Sequence, residues 1–184
     1  MMNKTTLRSL IASQRKALSS EEIRNMSSRI TNSFLQLTSL KTANNLLLYA
    51  ALPREVQTME LIRALSAHKK VWLPKVSGEE LEIRAYEGDQ SLIPGHFNVP
   101  EPTGMLCPDL SKIDLVVVPG VAFSREGDRM GYGKGFYDRL LPKLQAKKIG
   151  LAFDFQLFDS IPTEDHDEKM DIIITPKGIT IPSL

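Results

Sequence analysis

The chain opens with apolar residues at helical spacing. At 100° per residue, one side of a helix carries Leu7, Leu10, Ile11 and Leu18. This pattern predicts an amphipathic helix over about residues 4–18. Ser19 and Glu22 form a capping-box pattern, and the apolar residues beyond them predict a second helix. Those residues are Ile23, Met26, Ile30, Phe34 and Leu37.

Short apolar runs in the rest of the chain predict strands. The runs are Leu46–Ala50, Val71–Leu73, Val116–Val118, Ile149–Phe153 and Ile172–Ile174. The run Val116–Val118 is entirely β-branched, which is typical of a strand covered on both faces in a mostly parallel sheet. The run Leu81–Ala85 alternates with polar residues, which favours a strand near a sheet edge. Thr58 is the predicted N-cap of a helix between the first two runs.

The alternation of strands and helices predicts an α/β fold. We expect a single domain over residues 1–184, built as an open three-layer αβα sandwich around a mostly parallel sheet. Ligands of such sheets bind at the carboxyl ends of the strands. The loops after Ala50, Val118 and Phe153 are therefore expected to converge.

Two segments are predicted to lack regular structure. The first is a polar bridge from Thr38 to Asn45. The second runs from Gly88 to Asp109 and contains four prolines, too many for a regular element, so it is expected to form a long ordered loop that could cover a pocket.

The stretch from Val116 to Leu141 joins the most apolar run to a basic loop rich in glycine. Its glycines are Gly127, Gly131, Gly133 and Gly135. Their conformational freedom lets successive amide groups point at one anion, and Arg129 and Lys134 add positive charge. A helix expected to begin near Lys134–Phe136 turns its positive end to the same place. A phosphate site is predicted; the alternative is a flexible surface loop, against which the two charges argue.

The spacing of these glycines excludes two common nucleotide motifs. A Walker loop requires a hydroxyl residue after Gly133-Lys134, where this chain has Gly135. The dinucleotide pattern GxGxxG also fails. Asp138 is the candidate to hold magnesium in place of the missing hydroxyl.

The composition is that of an ordinary globular protein, with 42% hydrophobic and 24% charged residues. Because 23 Lys and Arg face 22 Asp and Glu, no strong global field would attract nucleic acid or anionic lipid. The lone Cys107 excludes an internal disulfide or a cysteine metal site and fits a reducing compartment. No apolar run approaches the ~20 residues of a membrane span. We expect a cytoplasmic monomer that binds neither nucleic acid nor membrane.

Several polar residues are candidates for ligand binding. Lys4, Arg8 and Arg15 lie within about 40° of one another beside the apolar side of the first helix; the alternative is that their side chains extend to water. Glu55 follows a strand and could accept hydrogen bonds from a ligand amine or amide, or be a solvated loop acid. Asp171 joins Asp138 as a candidate magnesium ligand.

Other residues are interpreted more simply. Trp72 is expected in the core, and His166 is expected to face solvent because no second histidine has zinc-like spacing. Asp165, Asp167 and Glu168 are typical of an acidic surface turn. Asp154 and Gln156 could reach a ligand from the loop after Phe153.

The segment Gly127–Leu141, GDRMGYGKGFYDRLL, resembles the hallmark of the 5-formyltetrahydrofolate cyclo-ligases, also called methenyltetrahydrofolate synthetases. The similarity covers nearly the whole chain. Besides Lys4 and Arg8, it includes the segments Tyr49–Thr58, Val71–Val76 and Leu151–Thr175. The resemblance implies a Rossmann-like, CoA-transferase-like sheet. Because the similarity begins at Lys4, the basic N-terminus is interpreted as part of the domain rather than a transit peptide.

The resemblance also implies an activity. An ATP- and Mg²⁺-dependent enzyme would cyclise 5-formyltetrahydrofolate (folinic acid) to 5,10-methenyltetrahydrofolate, with phosphorylation of the formyl oxygen and release of ADP and phosphate. Without the resemblance, a sugar-phosphate isomerase or acyl-transfer enzyme that needs no ATP, and a non-catalytic folate or nucleotide sensor, stay open.

The resemblance assigns roles to individual residues. Lys134 and Arg129 are the expected catalytic groups. The expected ATP contacts are Lys4, Arg8, Arg129, Met130, Gly131, Tyr132, Gly133, Lys134, Gly135, Phe136 and Tyr137. The expected folate contacts are Ala50, Glu55, Tyr132, Gly133, Lys134, Gly135 and Phe136, and the expected magnesium ligands are Asp138 and Asp171. The chain departs from some relatives at Tyr132, where arginine can stand, and at Phe136, where tyrosine is frequent.

Overall fold

The computed structural model describes residues 2–183, so Met1 and Leu184, the ends of the expected domain, lie outside the described residues. The helices in the described part of the chain are α1 (Lys4–Ala17), α2 (Ser20–Leu35), α3 (Thr38–Thr42), α4 (Met59–Ser66) and α5 (Phe136–Leu140). The predicted capping box is confirmed, because the Ser19 hydroxyl accepts from Glu22 N and the Glu22 carboxylate accepts from Ser19 N. No helix among residues 2–183 is long and apolar enough to cross a membrane.

The strands alternate with α-helices in only two places, around α4 and around α5, and elsewhere they follow one another without an intervening α-helix. They are β1 (Asn45–Leu47), β2 (Lys70–Ser77), β3 (Glu80–Ala85), β4 (Leu92–Pro94), β5 (Pro100–Pro102), β6 (Leu115–Val118), β7 (Ala122–Ser124), β8 (Arg129–Met130), β9 (Lys147–Leu151), β10 (Leu157–Phe158), β11 (Ile172–Thr175) and β12 (Gly178–Thr180).

A seven-stranded sheet with the order β12-β11-β9-β6-β1-β2-β3 forms the centre of the fold. Its inner strands are parallel, and only the two edge strands, β12 and β3, run antiparallel to their neighbours. The predicted mostly parallel α/β fold is therefore confirmed, as is the edge position of β3. All four residues of β6 are fully buried, as their β-branched, apolar sequence predicts.

Both faces of this sheet are covered. Val117 packs into a cluster that includes apolar side chains of α2, α3 and α4, whereas Val116 and Val118 point to a cluster on the other face that includes Leu140 of α5. Side chains alternate between the faces of a strand, so β1, β2, β6 and β11 each supply both clusters. This arrangement is the predicted three-layer sandwich.

A smaller sheet with the order β10-β7-β8 was not predicted. Its strands are two or three residues long, so they carry no measurable apolar period. It lies beside α1, since Leu7 and Ile11 pack with Val121, Ala122 and Met130 in a third apolar cluster. Met130, an expected ATP contact, thus points its side chain into the core.

The two segments predicted to be irregular contain regular structure. Strands β4 and β5 pair antiparallel within residues 88–109. Proline cannot donate to a ladder, but each of these strands has a free edge, so Pro94, Pro100 and Pro102 are accommodated. The predicted polar bridge contains the short helix α3.

The N-cap prediction at Thr58 is wrong in its detail. Thr58 does precede α4, but its hydroxyl donates to the Tyr49 carbonyl at 2.5 Å instead of capping the helix. The side chain therefore joins α4 to the segment that follows β1.

Candidate functional site

A cavity of about 420 Å³ lies where the segments after β1 and β6 leave the sheet. Of the expected site residues, those that line it are Ala50, Glu55, Arg129, Gly131, Tyr132, Gly133, Lys134, Gly135, Phe136, Tyr137 and Asp138. The carboxyl ends of parallel strands meet at one edge, so the fold brings these distant segments together.

One wall is the glycine segment, defined here as Gly127–Asp138. Gly133 (φ +95°) and Gly135 (φ +74°) adopt backbone conformations that other residues rarely adopt. Lys134 stands between them with its side chain exposed, and Gly135 precedes the first residue of α5 as predicted. Lys134 and the first residues of α5 thus line the same cavity.

Arg129 is buried and held by two neighbours. Its guanidinium donates to the Pro119 carbonyl at 3.0 Å and to Asp138 Oδ1 at 2.6 Å, and it lies 5.8 Å from the centre of the Tyr137 ring. Burial lowers the pKa of Arg129, against the attraction of Asp138. The charge is therefore fixed in place at the base of the cavity.

Lys4 and Arg8 lie behind the glycine segment instead of on the cavity wall. Arg8 Nε donates to the Gly131 carbonyl at 3.2 Å, and a side chain added at Gly133 would come 3.5 Å from the Arg8 guanidinium. Lys4 Nζ pairs with Glu164 at 2.5 Å. Helix α1 thus places both cations beside the glycine segment. The charge of Lys4 is paired there with Glu164.

Glu55 is a buried acid in the part of the lining that follows β1. Its carboxylate accepts from Leu52 N at 2.8 Å and from the Tyr132 hydroxyl at 2.5 Å. Burial raises the pKa of Glu55, whereas these two hydrogen bonds and the nearby Arg15 lower it. A buried acid at a cavity wall is typical of a ligand-binding group, not of a solvated loop.

Sequence reasoning underestimated Arg15. Its guanidinium is buried and donates to the Tyr132 hydroxyl at 2.5 Å and to the Gly120 carbonyl at 3.0 Å. The available signal was its alignment with Lys4 and Arg8 along the first helix, but the family resemblance favoured only those two.

The structure does not bring the two predicted magnesium ligands together. Asp138 lines the cavity, whereas Asp171 precedes β11 and its carboxylate accepts from Lys148 N at 2.7 Å. Lys148 lies near the start of β9, at the amino end of the parallel sheet and therefore opposite the cavity. Asp171 connects strands there and is not placed to share a metal with Asp138.

The loop after Phe153 also fails to reach the cavity wall. Gln156 is fully buried, and its amide donates to the carbonyls of Gly120 and Val121 at 3.2 and 2.9 Å. Of the three loops expected to converge, the first two line the cavity. Gln156 instead supports the backbone just after β6.

Two simpler interpretations are confirmed. Trp72 is 5% exposed, and its indole N–H donates to Asn45 Oδ1 at 3.1 Å, so it belongs to the core. The His166 side chain is 69% exposed, so it faces solvent as expected. Its Nε2 lies 3.3 Å from Glu164 Oε2.

The hairpin formed by β4 and β5 makes the outer rim of the cavity. His96, Phe97, Val99 and Glu101 contribute to the lining, which confirms that the proline-rich segment covers a pocket. Phe97 and Asn98 form the turn with a φ of 56° each, and Phe97 is 77% exposed. The exposed Phe97 side chain thus lies at the mouth of the cavity.

Comparison with known proteins agrees with this geometry. A family model described as the 5-formyltetrahydrofolate cyclo-ligase family matches residues 1–176. An NMR structure of 5,10-methenyltetrahydrofolate synthetase from Aquifex aeolicus is 34% identical, with a TM-score of 0.89 over 100% of this chain and 96% of that one. A synthetase of the same name from Mycoplasma pneumoniae is 27% identical, with a TM-score of 0.78 over 95% and 99% of the two chains. A probable 5-formyltetrahydrofolate cyclo-ligase of Schizosaccharomyces pombe is 29% identical over 97% of each chain.

Proposed function

The chain belongs to the 5-formyltetrahydrofolate cyclo-ligase family, and we propose that it drives this cyclisation with ATP and Mg²⁺ in the cavity described above. It is an enzyme of folate metabolism that forms a carbon–nitrogen bond. The product is 5,10-methenyltetrahydrofolate, formed from 5-formyltetrahydrofolate with release of ADP and phosphate.

The chemical difficulty is the formyl oxygen, which is a poor leaving group. Transfer of the γ-phosphoryl group of ATP to this oxygen converts it to a phosphate ester and releases ADP. The neighbouring folate nitrogen then attacks the formyl carbon, loses its proton, and expels phosphate as the carbon–oxygen bond breaks. Such a transfer needs little covalent help from the protein, because positioning and charge neutralisation supply most of the rate.

A single observation carries this proposal: one cavity presents the cationic glycine segment on one wall and the buried Glu55 on another. Lys134, Arg129 and the amide groups before α5 suit the triphosphate, with Arg8 behind the loop and Lys4 nearby. Glu55 and apolar lining residues such as Val76 and Leu81 suit the flat, N–H-bearing ring of the folate.

The residues present fit a magnesium ion that arrives with the nucleotide. Asp138 Oδ1 is held by Arg129, and Oδ2 accepts no hydrogen bond within residues 2–183. No group of three metal-binding side chains occurs in that part of the chain, but magnesium needs only one or two carboxylates when phosphate oxygens and water complete its shell. Asp138 would hold the ion, which would neutralise phosphate charge.

We also propose that the enzyme acts as a cytoplasmic monomer on two small molecules. Sedimentation of the purified protein would test the monomer directly, and a dimeric boundary would contradict it.

The decisive experiment follows the ultraviolet absorbance of the methenyl product. Purified protein is mixed with 5-formyltetrahydrofolate and Mg²⁺, with and without ATP. Product that appears only with ATP, together with stoichiometric ADP, supports the proposal. Absence of product, or product formed without ATP, would overturn it in favour of a sensor or an ATP-independent enzyme.

A further inference from the structure

Two buried ionisable side chains, Glu55 in the cavity lining and Arg15 beside Tyr132, lack a direct partner of opposite sign. Arg15 is 8% exposed and Glu55 is 5% exposed. Within the described residues neither forms an ion pair at 4.0 Å or less, and Arg15 Nε has no hydrogen-bond partner. Burying a charge is costly unless it is compensated, so the two groups require a connection.

The Tyr132 hydroxyl supplies that connection. It accepts a hydrogen bond from Arg15 Nη1 and donates one to Glu55 Oε1, with both distances at 2.5 Å. The guanidinium also lies 5.7 Å from the centre of the Tyr132 ring. One phenol thus bridges the buried cation and the buried acid.

Other ionisable groups around Glu55 do not perform this role. Tyr49, from the segment after β1, and Tyr137, from α5, also face it, and burial raises the pKa of each phenol. Neither donates a hydrogen bond to Glu55, whose second oxygen is held by Leu52 N. Tyr132 is therefore the side chain that connects Glu55 to a positive charge.

We propose that Tyr132 is a positioning residue of the cyclo-ligase reaction, which extends the charge of Arg15 to Glu55 and fixes its carboxylate as an acceptor for N–H donors of the folate ring. The inference rests on the proposed function, in which Glu55 binds the folate. A carboxylate has about four lone-pair positions, and the protein uses two of them, so two remain for a ligand.

The position of Tyr132 in the chain adds a consequence. It stands between Gly131 and Gly133, inside the segment proposed to bind the triphosphate. The residue that orients the folate acceptor therefore belongs to the same loop as Lys134. Nucleotide and folate are bound by one connected element.

Removal of the hydroxyl by Tyr132→Phe tests the proposal, with kcat and KM measured for each substrate from acidic to alkaline pH. We expect kcat/KM for 5-formyltetrahydrofolate to fall about tenfold at neutral pH, because Glu55 loses the hydrogen bond that orients its carboxylate and its link to Arg15. The acid limb of the profile should move to higher pH, and the loss should shrink as alkali ionises Glu55. The KM for ATP should stay within about twofold, since the loop amides and Lys134 are unchanged.

Tyr86→Phe is the matched control. The Tyr86 hydroxyl donates to Asp89 at 2.5 Å outside the cavity, so its removal deletes an equivalent bond without touching Glu55. This variant should keep the wild-type profile. Arg15→Lys, which retains the charge, should shift the acid limb less than Arg15→Met, and thermal unfolding of each variant verifies the fold.

The outcomes separate the two proposals. Wild-type protein that forms product with ATP, while Tyr132→Phe keeps the wild-type acid limb or loses activity equally at every pH, overturns the positioning role alone. Wild-type protein that forms no ATP-dependent product overturns the proposed function and this inference with it.

Discussion

The two ends of the central sheet use carboxylates in different ways. At the amino end, Asp114 accepts from the backbone N–H groups of Asn44 and Asn45, both at 2.8 Å, and Asp171 accepts from Lys148 N at 2.7 Å. These acids join the starts of neighbouring strands. Their donors are part of the sheet and cannot turn away from them.

At the carboxyl end the principal donors are side chains. Asp138 accepts from the Arg129 guanidinium, and Glu55 accepts from the Tyr132 hydroxyl in addition to one backbone group. Side-chain donors can rotate or share their partner, so these carboxylates keep capacity for a ligand. The comparison leads us to expect that the identity of the donor, more than the presence of an acid, separates a structural carboxylate from one that can bind a ligand.

The largest expected effect on activity is that of removing Lys134, the exposed cation at the carboxyl end of the sheet. Lys134→Ala should lower kcat by about 10²–10³-fold, because the proposed mechanism uses this charge to neutralise the transferring phosphoryl group. The unfolding free energy should change by less than about 0.5 kcal/mol, since the side chain is exposed. Steady-state kinetics and chemical denaturation measure both quantities; a wild-type rate would remove Lys134 from the mechanism.

Glu55→Gln should have the next largest effect. A neutral amide presents an N–H group where the folate requires an acceptor, so kcat/KM for 5-formyltetrahydrofolate should fall about 10²-fold while the KM for ATP changes little. An unchanged kcat/KM for 5-formyltetrahydrofolate would show that Glu55 has only a structural role.

The same variant carries a pH test. Because burial raises the pKa of Glu55 in the folded protein, its contribution to stability is present below the unfolded pKa and is lost as pH rises through the folded pKa. The unfolding free energy of Glu55→Gln relative to wild type should therefore improve from acidic to alkaline pH. Urea titrations at several pH values measure this difference, and an opposite slope would show that Glu55 is stabilised as an anion.

Asp138→Asn should have a moderate effect. The loss of one anionic oxygen ligand should lower kcat about tenfold at limiting magnesium and raise the magnesium concentration needed for half-maximal rate. Magnesium titration of both proteins checks this. Equal titration curves would assign Asp138 only to holding Arg129.

Asp171→Ala should have the smallest effect on activity. We expect kcat within about twofold of wild type and a loss of about 1 kcal/mol in unfolding free energy, because one strand connection is removed. Asp114→Ala is the matched control at the same end, where two backbone donors lose their acceptor. A rise in the magnesium concentration that Asp171→Ala needs for half-maximal rate would show that an acid at the amino end of the sheet also serves the reaction.

The sequence predicted those parts of the fold that repeat a period. Helices α1 and α2 follow from apolar spacing and from one capping box, because burial of a long face leaves a regular pattern, and β6 follows from an unbroken apolar run. The short strands β7, β8 and β10 leave none. Residues 88–109 form a hairpin because two isolated strands tolerate proline, which composition alone does not show.

The candidate site was predictable where the chain is continuous. Arg129 and residues 131–138 of the glycine segment line the cavity together, since they are near neighbours in sequence. Arg15 and Tyr132 are 117 residues apart, and their bond depends on how α1 docks. Asp171 shows the converse: its residue type suits magnesium, but its place in the sheet does not. The sequence therefore indicated the chemistry of the candidate residues, but not the distances between residues that lie on different helices and strands.

The single tryptophan gives this molecule a built-in optical reporter. Trp72 is enclosed in the core, and its indole N–H reaches Asn45 at the start of β1, away from the ligand cavity. Its fluorescence should therefore report unfolding of the central sheet. Ligand binding in the cavity, at the other end of the sheet, should change it little. Fluorescence can follow denaturation of every variant above without a label and without confusion from bound substrate.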